Sequence, residues 1–499
     1  MDKELKALEE RNTWKIVPID VAQNKTILTG KWVFRVKTKA DGTIDKFKAR
    51  WVVRGFDQEH GRDYTETFAP VSCHTSLRIL IAVAAMKKKK LRQIDVANAF
   101  LYAPVDAEIF VELPHGSHGE PNRVCQLLKS LYGIKQAPRL WQQYLHARLI
   151  RIGFKQLPHD QGMYRLTKGN EYVLLIVYVD DLLYIGSTDG ITTRFEGELQ
   201  KDLAITVSPT VTQYLGLNIR EEENAIYLSA EKYADTIAKR FSLTPTTVAT
   251  PYRYTSGTEK KRPTLLKPAG IRDYQKKLGC LLFAAVTCRP DLSYSASQLA
   301  TYLKKPEAEH LAELDRALHY FVSTVTIGLT YHKNATTPTK LIGYVDADHA
   351  GDSDNRRSRT GYVYRLEPIG PISWQSSKQE LIALSSAEAE NIALCSATKE
   401  GLYLRELLEE AKLAELPSFT VFCDNQFSNS HRQQERFRKQ NETHRPALFL
   451  REGRDREGET RSVILSHVRD GSRLSDQETR KAEVRVLHDA DWTKPRHLQ

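Results

Sequence analysis

The sequence predicts an α/β chain, of the mixed α+β kind, in about three domains, and three observations predict it. A length of 499 residues divides about three ways at roughly 100–200 residues per domain. Runs of period-two alternation and runs of helical period are interspersed along the chain. Acidic residues interrupt the apolar runs where strands are predicted to end. Hydrophobic residues at 41% and charged residues at 27% are ordinary globular usage, which excludes disordered, collagen-like and membrane classes. The longest apolar run, 172–179, is stopped by two aspartates, far short of the ~20 residues of a membrane helix. A soluble protein with no membrane partner is expected. The six cysteines form no CxxC pair, and Met1-Asp2-Lys3-Glu4-Leu5 opens no signal segment. Reduced thiols in an intracellular protein, without structural zinc, are therefore expected. The net charge of +11 favours a polyanionic partner.

In chain order, residues 2–10 have the spacing of a short amphipathic helix, and 32–37 alternate as a half-buried strand. Asp41-Gly42 supplies a hairpin turn, and the chain returns through 47–54. The polar face of that hairpin is basic, with Lys37, Lys46, Lys48, Arg50 and Arg54, as suits either a solvated face or a phosphate-contacting one. A helical run over 76–86 ends in Lys87-Lys88-Lys89-Lys90, where cations favour the negative end of the helix dipole. The strand predicted over 91–96 carries Asp95 among apolar neighbours, and 172–179 and 182–185 form a hairpin with Asp180-Asp181 at its tip. Periodicity fades over 244–266 into Thr, Pro, Lys and Gly, the composition of a linker. Helical periodicity returns over 274–324, broken at Arg289-Pro290 and Lys305-Pro306. The third region reads strand 341–346, strand 360–366, strand 372–375, helix 386–410 and strand 419–423. The expected domains are 1–243, a connecting 244–335, and 336–499, whose tail after about 426 turns arginine-rich.

Asp-Asp between strands is ordinarily a turn. Here eight apolar residues precede the pair and four follow, so a buried ribbon fixes its geometry. Adjacent carboxylates repel unless a cation neutralises them, and hard Mg²⁺ ions with oxygen ligands would do so. With Asp95 as a third acid on another strand end, two cations could be held for phosphoryl transfer. A second acid set lies in the third region: Asp346 ends a strand, Glu388 and Glu390 open a helix, and Asp424 ends another strand. Acids at a helix start are often only caps and dipole partners; together with two strand-end aspartates they could form another such cage.

The blocks Gln93-Ile94-Asp95-Val96-Ala97-Asn98-Ala99-Phe100-Leu101, Ser130-Leu131-Tyr132-Gly133-Ile134-Lys135-Gln136-Ala137-Pro138-Arg139-Leu140-Trp141 and Tyr178-Val179-Asp180-Asp181, in this order and spacing, closely resemble reverse transcriptases of copia-type retrotransposons. Tyr64-Thr65-Glu66-Thr67-Phe68-Ala69-Pro70-Val71 and Tyr214-Leu215-Gly216-Leu217 agree. The resemblance implies a right-hand polymerase with palm and fingers, a helical connection and an RNase H-like mixed-sheet domain. It implies Asp95, Asp180 and Asp181 as catalytic metal-binding acids, and Phe100 as the aromatic residue that excludes a 2′-hydroxyl. It implies Lys48, Arg50 and Gln136 at the incoming nucleotide, and Tyr214, Leu215 and Gly216 at the primer. In the RNase H-like domain it implies Asp346, Glu390 and Asp424 as catalytic metal ligands, with Glu388 a competitor for Glu390, and Asp476 as a fourth acid. Two Mg²⁺ or Mn²⁺ ions per active site are implied, with an RNA template, a DNA primer, an RNA–DNA hybrid and dNTPs as partners. Other Pol segments, such as integrase, are implied too. The implied location is a cytoplasmic retroelement particle, with nuclear entry of the product complex.

The match runs to about residue 426. Beyond it, residues 427–434 are nearly all polar where the family has an apolar helix, Leu474-Ser475-Asp476-Gln477-Glu478-Thr479 echoes the fourth-acid block weakly, and 203–209 has drifted. An arginine-rich tail with few periodic apolar residues is not expected to offset its ordering entropy. Residue 1 falls where the family's polymerase domain begins, so a fragment of a longer Pol polyprotein is expected. The alternative to an active enzyme is a catalytically silent, decaying or host-adopted remnant that only binds nucleic acid. A working polymerase with a dead nuclease lies between.

Overall fold

Alternating sequence builds most of the first compact unit. The computed structural model describes residues 1–38, 43–117, 122–244, 246–253, 264–333, 339–352, 354–412, 418–423, 449–454, 461–466 and 482–487. Their contacts divide into two units, residues 1–73 with 90–210, and residues 74–89 with 211–499.

The first unit opens with helix α1 (Asp2–Glu10), then β1 (Trp14–Pro18), β2 (Ile27–Leu28) and the long antiparallel pair β3 (Gly30–Thr38) and β4 (Ile44–Val53). Helix α2 (His74–Met86) belongs to the other unit, and the chain returns with β5 (Arg92–Val96), β6 (Phe110–Glu112), β7 (Arg123–Leu127) and helix α3 (Ala137–Ile152). The unit finishes through β8 (Phe154–Gln156), β9 (Met163–Lys168), β10 (Glu171–Tyr178), β11 (Asp181–Gly186), helix α4 (Asp189–Gln200) and β12 (Ile205–Ser208). Strands 12-5-11-10-9-8 form one antiparallel sheet. Its core joins Ile94, Val96, Val173, Leu175, Val177, Leu182 and Tyr184 to Trp141, Leu145 and Leu149 of α3 and Ile191, Phe195 and Leu199 of α4. Apolar residues at helical spacing thus meet apolar residues at alternate strand positions. A second core, with Leu8, Trp51, Val53, Val111, Cys125, Leu127, Leu131 and Ile134, ties α1 and the base of β4 to the sheet of strands 1-7-6-2.

In the second unit, β13 (Gln213–Tyr214), β14 (Leu217–Glu221), β15 (Ala225–Ser229) and a later β16 (Leu329–His332) make a four-stranded sheet. Between β15 and β16 run α5 (Glu231–Phe241), α6 (Pro268–Thr287), α7 (Ser293–Ala300) and α8 (Ala308–Ser323). The breaks after α6 and α7 fall at Arg289-Pro290 and just before Pro306, where proline lacks the amide a continuing helix needs. Buried Arg78 of α2 donates to the carbonyls of Ile372, Val286 and Thr287 at 2.7–2.9 Å and stacks over Trp374 at 4.0 Å. The unit continues with β17 (Lys340–Asp348), β18 (Arg359–Glu367), β19 (Gly370–Lys378), helix α9 (Ser386–Glu410) and β20 (Ser418–Cys423). Strands 19-18-17 are antiparallel, and β20 joins β17 in parallel after the α9 crossover. This is the β-β-β-α-β order of an RNase H-like domain.

The tail departs from expectation. Within it β21 (Phe449–Arg454), β22 (Arg461–Ser466) and β23 (Ala482–Leu487) extend the sheet, β23 pairing parallel to β20. Short stretches such as Val463-Ile464-Leu465 and Val484-Arg485-Val486 carry enough β-branched residues for strands, although the composition around them is arginine-rich. The expected turn at Asp41-Gly42, the polar run 427–434, Asp424 and Asp476 lie outside the described residues. The six cysteines are free thiols. Among the described residues no helix is long and apolar enough to cross a membrane.

Candidate active site

Strand register sets two of the first three acids opposite one another, with the third next along the chain. Asp181 opens β11 directly opposite Asp95, the penultimate residue of β5; opposed antiparallel residues have Cα atoms only about 4.5–5.5 Å apart and project to one face. Asp180 sits in the two-residue turn closed by the Tyr178–Asp181 pair. The other turn residue, Val179, stands at φ +55°, a left-handed conformation costly for a β-branched side chain. Its carbonyl accepts the indole N–H of buried Trp141 at 2.8 Å, and the Asp180 carbonyl accepts from the Val96 amide at 3.1 Å. Gln93 Nε2 donates to Asp181 Oδ1 at 3.3 Å. The donors are hard oxygens of the right kind for Mg²⁺ or Mn²⁺, and the register sets Asp95 and Asp181 opposite one another with Asp180 adjacent in the chain. As placed, no three His, Cys, Asp or Glu side chains among the described residues stand close enough to hold a metal ion. The fit is one of donor type and strand register.

Phe100 rides on a 3₁₀ turn, Ala99–Tyr102, that follows β5 and is entered through Asn98 in the left-handed region, φ +54°, which asparagine tolerates. Arg50 and Lys48 project from β4, and Arg50 lies over the Tyr132 ring. Glu4 of α1 was not anticipated from the sequence. Burial raises its carboxyl pKa, while Arg50 and Lys48 pull it back down, so an acid faces the basic pair. Gln136 takes a different place from the nucleotide-facing one expected. It is 0% exposed, accepts from Gln58 Nε2 at 3.1 Å and donates to the Asp63 carbonyl at 2.9 Å. Both ends of its amide are committed inside the protein, where a buried amide has to be satisfied.

Tyr214, Leu215 and Gly216 form the β13–β14 hairpin. Tyr214 is buried and pairs with Leu217, leaving Leu215 at φ +49° and Gly216 at φ +81°. Two positive φ values in a two-residue loop define a type I′ turn, which suits glycine and strains leucine.

In the RNase H-like domain the helix start separates its two glutamates. Ser385 Oγ accepts from the Glu388 amide at 3.2 Å, and Glu388 reaches back to the Leu384 amide at 2.7 Å, a capping arrangement that occupies Glu388. Glu390 is 6% exposed and turns toward β17, where the Ala347 amide is shared between Asp346 Oδ1 at 2.7 Å and Glu390 Oε1 at 3.2 Å. Cys423 Sγ donates to Glu390 Oε2 at 3.8 Å. The structure thus sets Glu390 beside Asp346. Asp348, two residues on, accepts from the Arg359 amide at 2.5 Å; no role was expected for it from the sequence.

A strand-end acid pair in an antiparallel sheet backed by two helices, followed along the chain by a β-β-β-α-β domain, is the layout expected from the sequence. Residues 11–253 match the family model described as reverse transcriptase (RNA-dependent DNA polymerase). The retrovirus-related Pol polyprotein from transposon TNT 1-94 of Nicotiana tabacum is 34% identical over 85% of this chain, which spans 32% of that protein, about a third of its length. The putative transposon Ty5-1 protein of Saccharomyces cerevisiae is 34% identical over 60% of this chain and 96% of its own. Among solved structures, a foamy viral protease-reverse transcriptase in complex with double-stranded DNA aligns at a TM-score of 0.45 and 14% identity, over 87% of this chain and 64% of that one. The chain belongs to the reverse transcriptase family, among the Pol polyproteins of copia-type retrotransposons.

Proposed function

We propose that this chain is an RNA-directed DNA polymerase with an associated RNase H, extending a DNA primer along a template with dNTPs and cutting the RNA of the resulting hybrid. The observation that carries the reading is the register of Asp181 opposite Asp95 beside the Asp180 turn, inside the segment that matches the family model. Asp95, Asp180 and Asp181 would hold two divalent cations, Mg²⁺ or Mn²⁺, which when bound stabilise charge on the attacking and leaving oxygens of phosphoryl transfer. Arg50 and Lys48 attract the triphosphate, and Phe100 fills the space a 2′-hydroxyl would need. The 214–216 turn positions the primer. In the second site Asp346 and Glu390 contribute two carboxylates, and Asp424 and Asp476 complete the proposed set. The setting in life is a cytoplasmic particle with other Pol segments such as integrase, and nuclear entry of the product.

Primer extension on poly(rA)/oligo(dT) with dTTP and Mg²⁺, the RNA strand labelled, tests both halves. Extension abolished by Asp180→Asn, with shortening of the RNA abolished by Glu390→Gln, is the expected result. A second reading, a chain that binds hybrids without turnover, is favoured by the drift of residues 203–209 from the family pattern. Salt-sensitive hybrid binding with no incorporation in Mg²⁺ or Mn²⁺ would establish it.

A further inference from the structure

Three segments of the first unit meet at one ring. Tyr132 lies in the loop before α3; the Arg50 guanidinium of β4 stands 4.4 Å over its centroid, and the Phe100 ring meets it edge to face at 4.8 Å and 70°. The backbone fixes this ring in place. The Val53 amide at the end of β4 donates to the Tyr132 carbonyl at 2.8 Å. The next residue, Gly133, has φ +99°, and a Cβ there would fall 2.0 Å from the Val53 carbonyl oxygen, so only glycine lets the loop lie against the strand. Arg50 Nε is buried and has no hydrogen-bond partner among the described residues. With Nε unpartnered, the guanidinium gains from the aromatic face beneath it, beside the attraction of Glu4. Burial pushes the Tyr132 phenol up to about 12; Arg50 opposes that rise, and Asp180, Glu4 and Asp95 add to it. The ring therefore sits within electrostatic reach of the basic hairpin and of the strand-end acids alike.

We propose that Tyr132 is a positioning residue of the nucleotide pocket, the shared support that sets where Arg50 meets the triphosphate and where Phe100 meets the sugar. The inference rests on the polymerase reading and deepens it, because affinity for the nucleotide and selection of the sugar then depend on one side chain. Neither function is independent of the other. Loss of the ring frees the guanidinium and lets the Phe100 ring tilt into the vacated space, so triphosphate affinity and rejection of a ribose fall together.

Single-nucleotide incorporation on poly(rA)/oligo(dT) with dTTP and with UTP reads this directly. Tyr132→Leu is expected to raise the KM for dTTP about fivefold to tenfold, as loss of a cation–π contact allows. It is also expected to lower the dTTP:UTP preference about tenfold, while kcat for dTTP stays within about threefold. Tyr132→Phe keeps the ring and restores both quantities to within about twofold of wild type. Arg50→Lys raises KM in the wild-type background and adds little to Tyr132→Leu, the non-additivity of residues that act together. Melting temperature and hybrid binding confirm folding; should Tyr132→Leu not fold, Tyr132→Met replaces it with the same expectations. A folded ringless variant with unchanged KM and unchanged preference, or with a fall in kcat alone, overturns the inference. A wild-type chain that incorporates no nucleotide overturns the polymerase reading and this inference together, whereas wild-type extension with indifferent Tyr132 variants overturns this inference alone.

Discussion

The turn that carries Asp180 is held under strain. Val179 at φ +55° costs of order 1–3 kcal/mol and persists only where its surroundings over-determine it. Two hydrogen bonds do so here, from the Trp141 indole to the Val179 carbonyl and from the Val96 amide to the Asp180 carbonyl. Trp141→Phe removes the first donor, leaves a carbonyl unsatisfied at a cost of about 1–3 kcal/mol, and keeps most of the ring packed against Tyr102 and Tyr144. The expected outcome is a kcat for dTTP lowered about tenfold with KM within about twofold. Adding Val179→Gly recovers part of the loss, because glycine adopts the conformation without strain. An unchanged kcat in the folded single variant would show that the turn keeps its geometry without the indole. These residues also mark what the sequence could disclose about the site. Asp95, Asp180 and Asp181 were legible because strand alternation and the Asp-Asp turn are local patterns. The parts played by Trp141 and Gln136 were not, since their partners lie 38, 73 and 78 residues away in sequence and only tertiary packing joins them.

Helices and strands with a clean period were legible as elements. The 2–10 helix, the 341–346, 360–366 and 419–423 strands and the 386–410 helix all occur, with ends moved by at most a few residues, because each buries one face and so needs its period. The tail strands were not legible, because the arginine-rich, polar composition around them hides short apolar stretches such as Val463-Ile464-Leu465. Helix ends hold features that periodicity does not show. Helix α8 starts with Glu307 and His310 in a reciprocal cap, the Glu307 amide donating to His310 Nδ1 at 3.0 Å while the imidazole stacks on Tyr302 at 3.6 Å. An accepting Nδ1 is unprotonated, and burial lowers the His310 pKa below 6.5, against the pull of Glu307, Glu309 and Asp354. His74 at the start of α2 shifts the same way, by burial and by Arg78. In the folded state both resist a proton that the unfolded chain accepts near pH 6.5, so the unfolded state binds more protons below that pH and stability is lost as pH falls through it. Thermal melts are expected to be level above about pH 7 and to drop toward about pH 5.5. His310→Gln, whose amide can still accept from Glu307, reduces that drop; a variant that loses stability as steeply as wild type would exclude His310 as a source.

Across the whole molecule, positive charge exceeds negative. The net charge is +11, and the β3–β4 ribbon sorts its side chains by face. Arg35 stands opposite Lys48 and Val33 opposite Arg50, while Val36 opposite Phe47 and Phe34 opposite Ala49 fall on the other side. Like charges directly opposed across strands destabilise a ribbon, and Phe34 and Phe47 remain 68% and 77% exposed. A polyanion along the basic side relieves the repulsion, and the cations condensed on its phosphates are released as the basic residues neutralise them, the physical source of salt-dependent nucleic-acid binding. The affinity for an RNA–DNA hybrid is therefore expected to fall linearly on logarithmic axes as salt rises, with a slope of about −0.7 to −0.9 for each phosphate neutralised, or about 10³-fold or more between roughly 50 and 200 mM for six or more contacts. Filter binding over that range, with hybrids of unrelated sequence, should give parallel lines, because phosphate contacts carry no base information. Arg35→Gln should make the slope shallower by about one contact and weaken every hybrid alike. A flat line for wild type, or a slope that changes with sequence, would mean that something other than this charge distribution holds the nucleic acid.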